Sequence, residues 1–145
     1  MENTNEMQLI FDSRSSNESF ARVTVAAFMT SLNPTVEEVS DVKTAVSEAV
    51  TNAIVHAYPD RIGKIVMKLR QKEGQVLEIV VRDWGVGISD VAQARTPLFT
   101  TGSEERAGMG FTIMESFMDE LKVRSTPGKG TTVTMRRQIA RRISG

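Results

Sequence analysis

Met7, Leu9 and Phe11 alternate with Gln8, Ile10 and Asp12, a period of two that predicts a short first strand at a sheet edge or subunit boundary. The period then lengthens. Ser15 and Glu18 have the spacing of a capping box, and Phe20, Val23, Ala27 and Phe28 give one apolar helical face that Asn33-Pro34 ends. Thr35 and Glu38 repeat that spacing. Behind them Val39, Val42, Val46, Ala49, Val50, Ala53 and Ile54 continue an apolar stripe as far as Tyr58-Pro59, predicting a long second helix.

After the Pro59-Asp60 turn, Ile65, Met67 and Leu69 alternate with Lys64, Lys68 and Arg70, and Leu77, Ile79 and Val81 alternate again beyond the turn Lys72-Glu73-Gly74-Gln75. These are two strands of an antiparallel hairpin. The second runs into Asp83-Trp84-Gly85-Val86-Gly87-Ile88, whose paired glycines allow a tight turn and a close backbone approach to a ligand. Ser89 to Arg95 reads as a short helix. Thr96 to Ala107 is polar and without apolar period, as a lid would be. Gly108-Met109-Gly110 opens a third helix with Phe111, Met114, Phe117, Met118 and Leu121 on one face; Val123, a Thr126 to Gly130 turn and a strand from Thr131 to Met135 follow. Arg136, Arg137, Arg141 and Arg142 make the C-terminus basic, and a solvated tail over about 137–145 is expected in preference to an anion site.

Composition narrows the chemistry. The 145 residues suit one domain, and 18 Lys plus Arg balance 18 Asp plus Glu, which gives no reason to invoke nucleic acid. No apolar run approaches the roughly 20 residues that span a membrane, and the polar start lacks the features of a signal peptide, so a cytoplasmic protein is expected. With no cysteine and one histidine, disulfides, thiol nucleophiles and zinc clusters are excluded. Catalysis must rest on carboxylates, amides, hydroxyls and backbone.

Glu48, Asn52 and His56 recur every fourth residue of the second helix, so they form one slanted strip. A carboxylate such as Glu48 can accept a proton, and an amide oxygen one turn away, on Asn52, can serve a hard cation such as magnesium. Gly108 and Gly110 can present bare N–H groups to phosphate at a helix N-terminus. Asp83, at a strand end beside Gly85 and Gly87, can accept a hydrogen bond from an exocyclic amine, which distinguishes adenine from guanine. Together these describe a nucleotide site. A packed or hydrogen-bonded role is expected for His56.

At these residues the sequence resembles the ATP-binding family shared by gyrase, the Hsp90 chaperone, histidine kinases and MutL, over nearly its whole length. Glu48 to Asn52 matches the N box, Asp83 to Gly87 the first glycine box, Gly108 to Gly110 the second and Gly130-Thr131-Thr132 the last. Ser47 to Tyr58, Pro97 to Thr101 and Gly108 to Asp119 are most similar to bacterial anti-sigma factors with serine kinase activity, of the sporulation type. That resemblance implies a two-layer α/β sandwich of the Bergerat type, with one helical layer on a mixed, largely antiparallel sheet. It also implies a homodimer, ATP or ADP with Mg2+, a sigma factor of the sigma F type held inactive, and an anti-anti-sigma protein phosphorylated on serine. Glu48 becomes the general base, Asn52 the magnesium ligand and Asp83 the adenine residue, with Thr132 beside it. Thr100, Thr101 and the run Gly108, Met109, Gly110, Phe111 complete the expected nucleotide contacts.

The sequence departs from the family at Trp84, where a small or acidic residue is usual, and at Gly102-Ser103, where relatives often have Lys-Pro and a longer lid. Trp84 is expected to report ADP binding by its fluorescence. The first helix has only Glu18 and Arg22 charged between Ser16 and Asn33, which makes Arg22 a candidate partner anchor; a local Glu18-Arg22 pair is the alternative. A histidine kinase would need a separate phosphoacceptor domain, and a gyrase-like ATPase a further domain reaching the γ-phosphate. A stress-response sigma B-type kinase, or a sigma-binding module without transfer, stays open.

Overall fold

The computed structural model describes residues 2–95 and 103–141. A five-stranded sheet in the order β1-β2-β3-β5-β4 is built from β1 (Asn3–Asp12), β2 (Lys64–Lys72), β3 (Val76–Asp83), β4 (Glu120–Thr126) and β5 (Gly130–Gln138). Its four pairings are all antiparallel, as the largely antiparallel expectation required. With them are helices α1 (Glu18–Phe28), α2 (Val36–Asn52), the short α3 (Val91–Ala94) and α4 (Ser103–Phe117), and short 3-10 or π-helical turns at Ser15–Asn17, Met29–Leu32 and Ala53–Ala57, the last continuing α2; α2 packs against both α1 and α4.

The period of two decides which side of the sheet is covered. Ile65, Met67 and Leu69 of β2, Leu77, Ile79 and Val81 of β3, and Val133 and Met135 of β5 are buried against Val42, Val46, Ala49 and Val50 of α2 and Phe111 and Met114 of α4. The alternate positions lie on the helix-free face. There one row crosses all five strands: Glu6, Arg70, Glu78, Arg136 and Glu120 are cross-strand partners in succession. Its centre, Glu78, is 3% exposed and accepts from Arg70 Nη1 at 2.9 Å and Arg136 Nε at 2.7 Å. At the rim Arg70 Nε is 3.4 Å from Glu6, an ion-pair contact without hydrogen-bond alignment.

The capping box of α2 is complete: Thr35 Oγ1 accepts from the Glu38 N–H at 3.0 Å, and the Thr35 N–H donates to Glu38 Oε1 at 2.8 Å. Glu38 Oε2 also accepts from the Ala140 N–H at 3.0 Å, so the cap anchors the chain beyond β5. The box expected at Ser15 and Glu18 does not form. Ser15–Asn17 is a turn of 3-10 helix, and Glu18 reaches across to α2, where Ser47 Oγ donates to its carboxylate.

Three further expectations change. The apolar face assigned to α1 is inner only in part: Phe28 packs against the core, but Phe20 and Val23 are each 64% exposed, while Ala21 and Val25, and Met29 just beyond the helix, are buried. Apolar residues lie on both sides of this helix, and only its packing against α2 selects the inner one. Leu121 belongs to β4, opposite Met135, because α4 stops at Phe117. Arg137 is no tail residue: it lies in β5, 3.1 Å from Asp41, and donates to the Phe117 carbonyl at 2.6 Å.

Burial pushes the Glu78 carboxyl up, but the hydrogen bonds from Arg70 and Arg136 outweigh it and hold the group below its ordinary value. A depressed folded-state value gives stability that is present above the unfolded carboxyl range and lost as pH falls through the folded value. Glu78→Ala should therefore cost about 1–3 kcal/mol at pH 7, the upper figure being limited by the water contact the arginines keep. Urea unfolding at pH 7 and in the acid range should show this penalty shrinking on acidification.

Candidate active site

Two ends of one cavity are built from opposite sides of the core. At the first, Asp83 closes β3 and is 5% exposed; its Oδ1 accepts from the Gly85 N–H at 2.9 Å and the Thr131 N–H at 3.2 Å. Burial raises the carboxyl above its ordinary value despite those two bonds. The loop beyond it is pinned to the end of the second helical stretch, where the Val86 N–H donates to the Ala57 carbonyl at 2.9 Å. A Cβ on Gly85 would lie 2.1 Å from that same oxygen, so no other residue allows the approach. Tyr58 adds a second pin: its hydroxyl accepts from the Trp84 N–H and donates to the Lys64 carbonyl, both at 2.7 Å.

At the other end stands Asn52, with Glu48 one helical turn before it. Asn52 Nδ2 is buried without a hydrogen-bond partner. Gly110 of α4 faces both residues: a Cβ there would sit 3.0 Å from Asn52 Nδ2 and 3.2 Å from Glu48 Oε2. The carboxyl of Glu48 is pushed up by burial and then by the charge of Glu18. Glu18 is fixed beside it by Ser47 and by Arg22, whose Nε lies 3.0 Å from Glu18 Oε1 without hydrogen-bond alignment.

Between the two ends lies a cavity of about 350 Å3, lined by Asn52 and His56, by Val81, Asp83 and Thr131 of the sheet, and by Phe111 of α4. Glu48 borders a second cavity of about 510 Å3, on the α1 side of α2, together with Arg22, Lys43 and Ser47. Glu48, whose proton affinity is raised, thus faces the second cavity one helical turn from Asn52, which lines the first.

Several expected residues fall elsewhere. Thr132 faces the helix-free side, because its cross-strand partner is Arg82; Thr131, one residue earlier, is the one that meets Asp83. Alternation counted back from Val133 and Met135 carried that signal. Gly108 and Gly110 are not at a helix start, since α4 begins at Ser103. Ser-Glu-Glu-Arg-Ala has good helix propensity although it lacks an apolar period. Met109 is 57% exposed, whereas Phe111 lines the cavity. Trp84 follows the inward Asp83 and is therefore outward, 42% exposed, with the Arg82 guanidinium 4.8 Å from its ring centroid, so a direct fluorescence response to a ligand in the cavity is not expected. Thr100 and Thr101, with the first part of the expected lid, lie outside the described residues; Ser103 to Ala107 is helical.

The chain matches known proteins over most of its length. The pattern of the histidine kinase-like ATPase domain matches residues 12–137. The anti-sigma F factor of Thermoanaerobacter sp. (strain X514) is 59% identical over 140 residues, covering 96% of this chain and 97% of its own. That of Geobacillus stearothermophilus is 58% identical over 134 residues, 92% of each chain. Among solved structures, the RsbU and RsbW domains of Rv1364c from Mycobacterium tuberculosis superpose with a TM-score of 0.67 at 18% identity, covering 94% of this chain and 32% of that one. At that identity the likeness is one of fold. The blue-light activated histidine kinase domain of Erythrobacter litoralis EL346 gives a TM-score of 0.55 at 27% identity over 72% of this chain and 46% of its own.

Asp83→Asn separates ligand binding from stability. A raised folded-state carboxyl gives stability that is full below the unfolded value and lost as pH rises through the folded one, so the ionised group is a cost at pH 7. Asparagine keeps an oxygen for Gly85 and Thr131 and removes that charge. Its melting temperature should equal or exceed that of the wild type at pH 7, the difference closing toward pH 3, while calorimetry shows ADP binding at least tenfold weaker.

Proposed function

Because the chain belongs to the histidine kinase-like ATPase family, and within it to the anti-sigma F factors, we propose that it is a Mg2+-ATP-dependent protein serine kinase. In this reading it holds a sigma factor of the sigma F type inactive and phosphorylates a serine of an anti-anti-sigma protein. The observation that carries the proposal is the placement of Glu48, raised in proton affinity, on a groove open to a protein segment and one helical turn from Asn52, which lines a pocket fit for nucleotide.

The residues present fit ATP and magnesium. Asp83 Oδ2 is the acceptor that an adenine amine requires, its neighbour Oδ1 being taken by backbone. The orphaned amide of Asn52 needs a partner, and an amide that turns its oxygen there offers a neutral ligand to magnesium. The bare Cα of Gly110 leaves the space beside both Glu48 and Asn52 free of side chain. When bound, magnesium would neutralise charge on the transferring phosphates.

The protein's own part is to position and to take a proton. A serine entering from the Arg22 and Lys43 side would meet the Glu48 carboxylate, which accepts the hydroxyl proton as the oxygen attacks the γ-phosphorus and the bond to the β-phosphate oxygen breaks. Burial beside Glu18 makes Glu48 a stronger base than an exposed glutamate. That favours a kinase over a module in which ATP only shapes a docking surface. Homodimerisation is supported by β1, an edge strand paired with β2 alone among the described strands, and by the exposed apolar Met7, Phe20 and Val23. No described helix is long and apolar enough to cross a membrane, which suits a cytoplasmic regulator.

Glu48→Gln should retain ADP affinity within about twofold and lower phosphoryl transfer to the anti-anti-sigma protein by about 10²–10⁴-fold, followed with labelled ATP. Transfer at the wild-type rate would remove Glu48 from this role and leave the binding-module reading. Arg22→Glu should keep the fold and ATP affinity but weaken capture of sigma factor, antagonist or both by about tenfold or more, measured by pull-down with ATP and with ADP. Unchanged capture would leave Arg22 as a local partner of Glu18.

A further inference from the structure

The helix-free face of the sheet is not uniform in charge. Beside the row that runs from Glu6 to Glu120 lie two more. Gln8, Lys68, Val80, Thr134 and Lys122 are successive cross-strand partners across the five strands. So are Ile10, Val66, Arg82, Thr132 and Arg124. These two rows hold four cations and no carboxylate. Lys122 is 3.6 Å from Glu120 of the neighbouring row, which Arg136 also reaches at 3.3 Å. Lys68, Arg82 and Arg124 enter no ion pair among the described residues. A chain with no net charge thus concentrates positive charge on one side.

Short side chains occupy the middle of this area and long ones its flanks. Val80, Thr132 and Thr134, on the adjacent strands β3 and β5, are half-buried and form a low floor. Lys68 on β2 stands on one side of it, Lys122 and Arg124 on β4 on the other. β2 and β4 are three strand spacings apart, about 14 Å, which is room for a helix of about 10 Å diameter laid along β3 and β5. Exposed Arg82 and Trp84, stacked at 4.8 Å, mark one end of the trough. Glu78, neutralised by Arg70 and Arg136, marks the other.

We propose that this trough docks an acidic amphipathic helix of a partner protein, with carboxylates toward Lys68 on one flank and toward Lys122 and Arg124 on the other, and an apolar side on Val80 and the threonine methyls. Charge complementarity selects the occupant. A second copy of the chain would set the same cations against themselves across a two-fold axis. A nucleic acid strand would find no aromatic ring on the floor to stack on. The trough lies on the opposite side of the sheet from the helices and the nucleotide cavity, so the inference stands apart from the kinase reading.

The test uses the full chain and two synthetic helical peptides of about 18 residues that share one leucine stripe, flanked by glutamates in the first and by lysines in the second. Trp84, the only tryptophan, reports occupation by its fluorescence, and calorimetry gives the affinity. The double variant Lys122→Glu with Arg124→Glu reverses one wall, and Thr134→Phe raises the floor without changing charge; melting temperatures check that both fold. The glutamate peptide should bind the wild type at least about tenfold tighter than the lysine peptide, and each variant should weaken it by about tenfold. Equal affinity for the two peptides, or no weakening in the double variant, would overturn the proposal. A loss there with none in Thr134→Phe would also overturn it, since the attraction would then be general and not seated in the trough. Tighter binding of an oligothymidylate or of phosphatidylserine vesicles than of the glutamate peptide would overturn it in favour of nucleic acid or membrane. Altered self-association of either variant in sedimentation would overturn it in favour of a second copy.

Discussion

The structure depends on one close contact between backbones: Gly85 against the carbonyl of Ala57. A strand end and a helix end are held there without a side chain between them, and the Val86 N–H closes the contact with a hydrogen bond. Every feature of the site is measured from that point. Asp83 is fixed two residues upstream, with its Oδ1 locked by Gly85 and Thr131, and the helical chain on the other side of the contact places His56 and Asn52 along the cavity. Burying a carboxylate at such a place is costly, and the raised proton affinity of Asp83 records the cost. A protein selected for stability alone would have placed an apolar residue or an amide there.

The rest of the fold keeps this contact rigid. On the helix side a continuous apolar core runs from Val25 through Val46 and Ile79 to Met114. On the other side the alternating row from Glu6 to Glu120 ties the five strands together, and its central carboxylate is neutralised from both neighbours. That row is therefore mechanical, and the chemistry is confined to the layer between sheet and helices.

Glu48, the base in the proposed transfer, has its proton affinity raised without a histidine beside it. Desolvation by α4, whose Gly110 comes close, and the nearby charge of Glu18 both act to raise its proton affinity. Arg22 touches Glu18 and also lines the groove that Glu48 borders. In the proposed function, a partner that engages Arg22 would act next to Glu18, the residue that raises the proton affinity of Glu48.

Much of this was determined by local pattern. Alternation gave the hairpin of β2 and β3, Thr35 and Glu38 gave the start of α2, and Asp83 with Gly85 and Gly87 gave the turn at the pocket, because each depends on groups a few residues apart in the chain. Other features were decided only when distant segments met. Ala21 and Val25 are inside, and Phe20 and Val23 outside, because α2 covers one of two apolar stripes on α1. Thr131 meets Asp83, and Thr132 does not, because the register of β5 on β3 fixes which residues face the helices. Gly110 is needed where α4 approaches the Glu48 and Asn52 side chains, within a helix that starts earlier than its apolar period. Periodicity states how often a side chain returns to one face; which face is buried depends on what packs against it, and that partner is set by the tertiary fold.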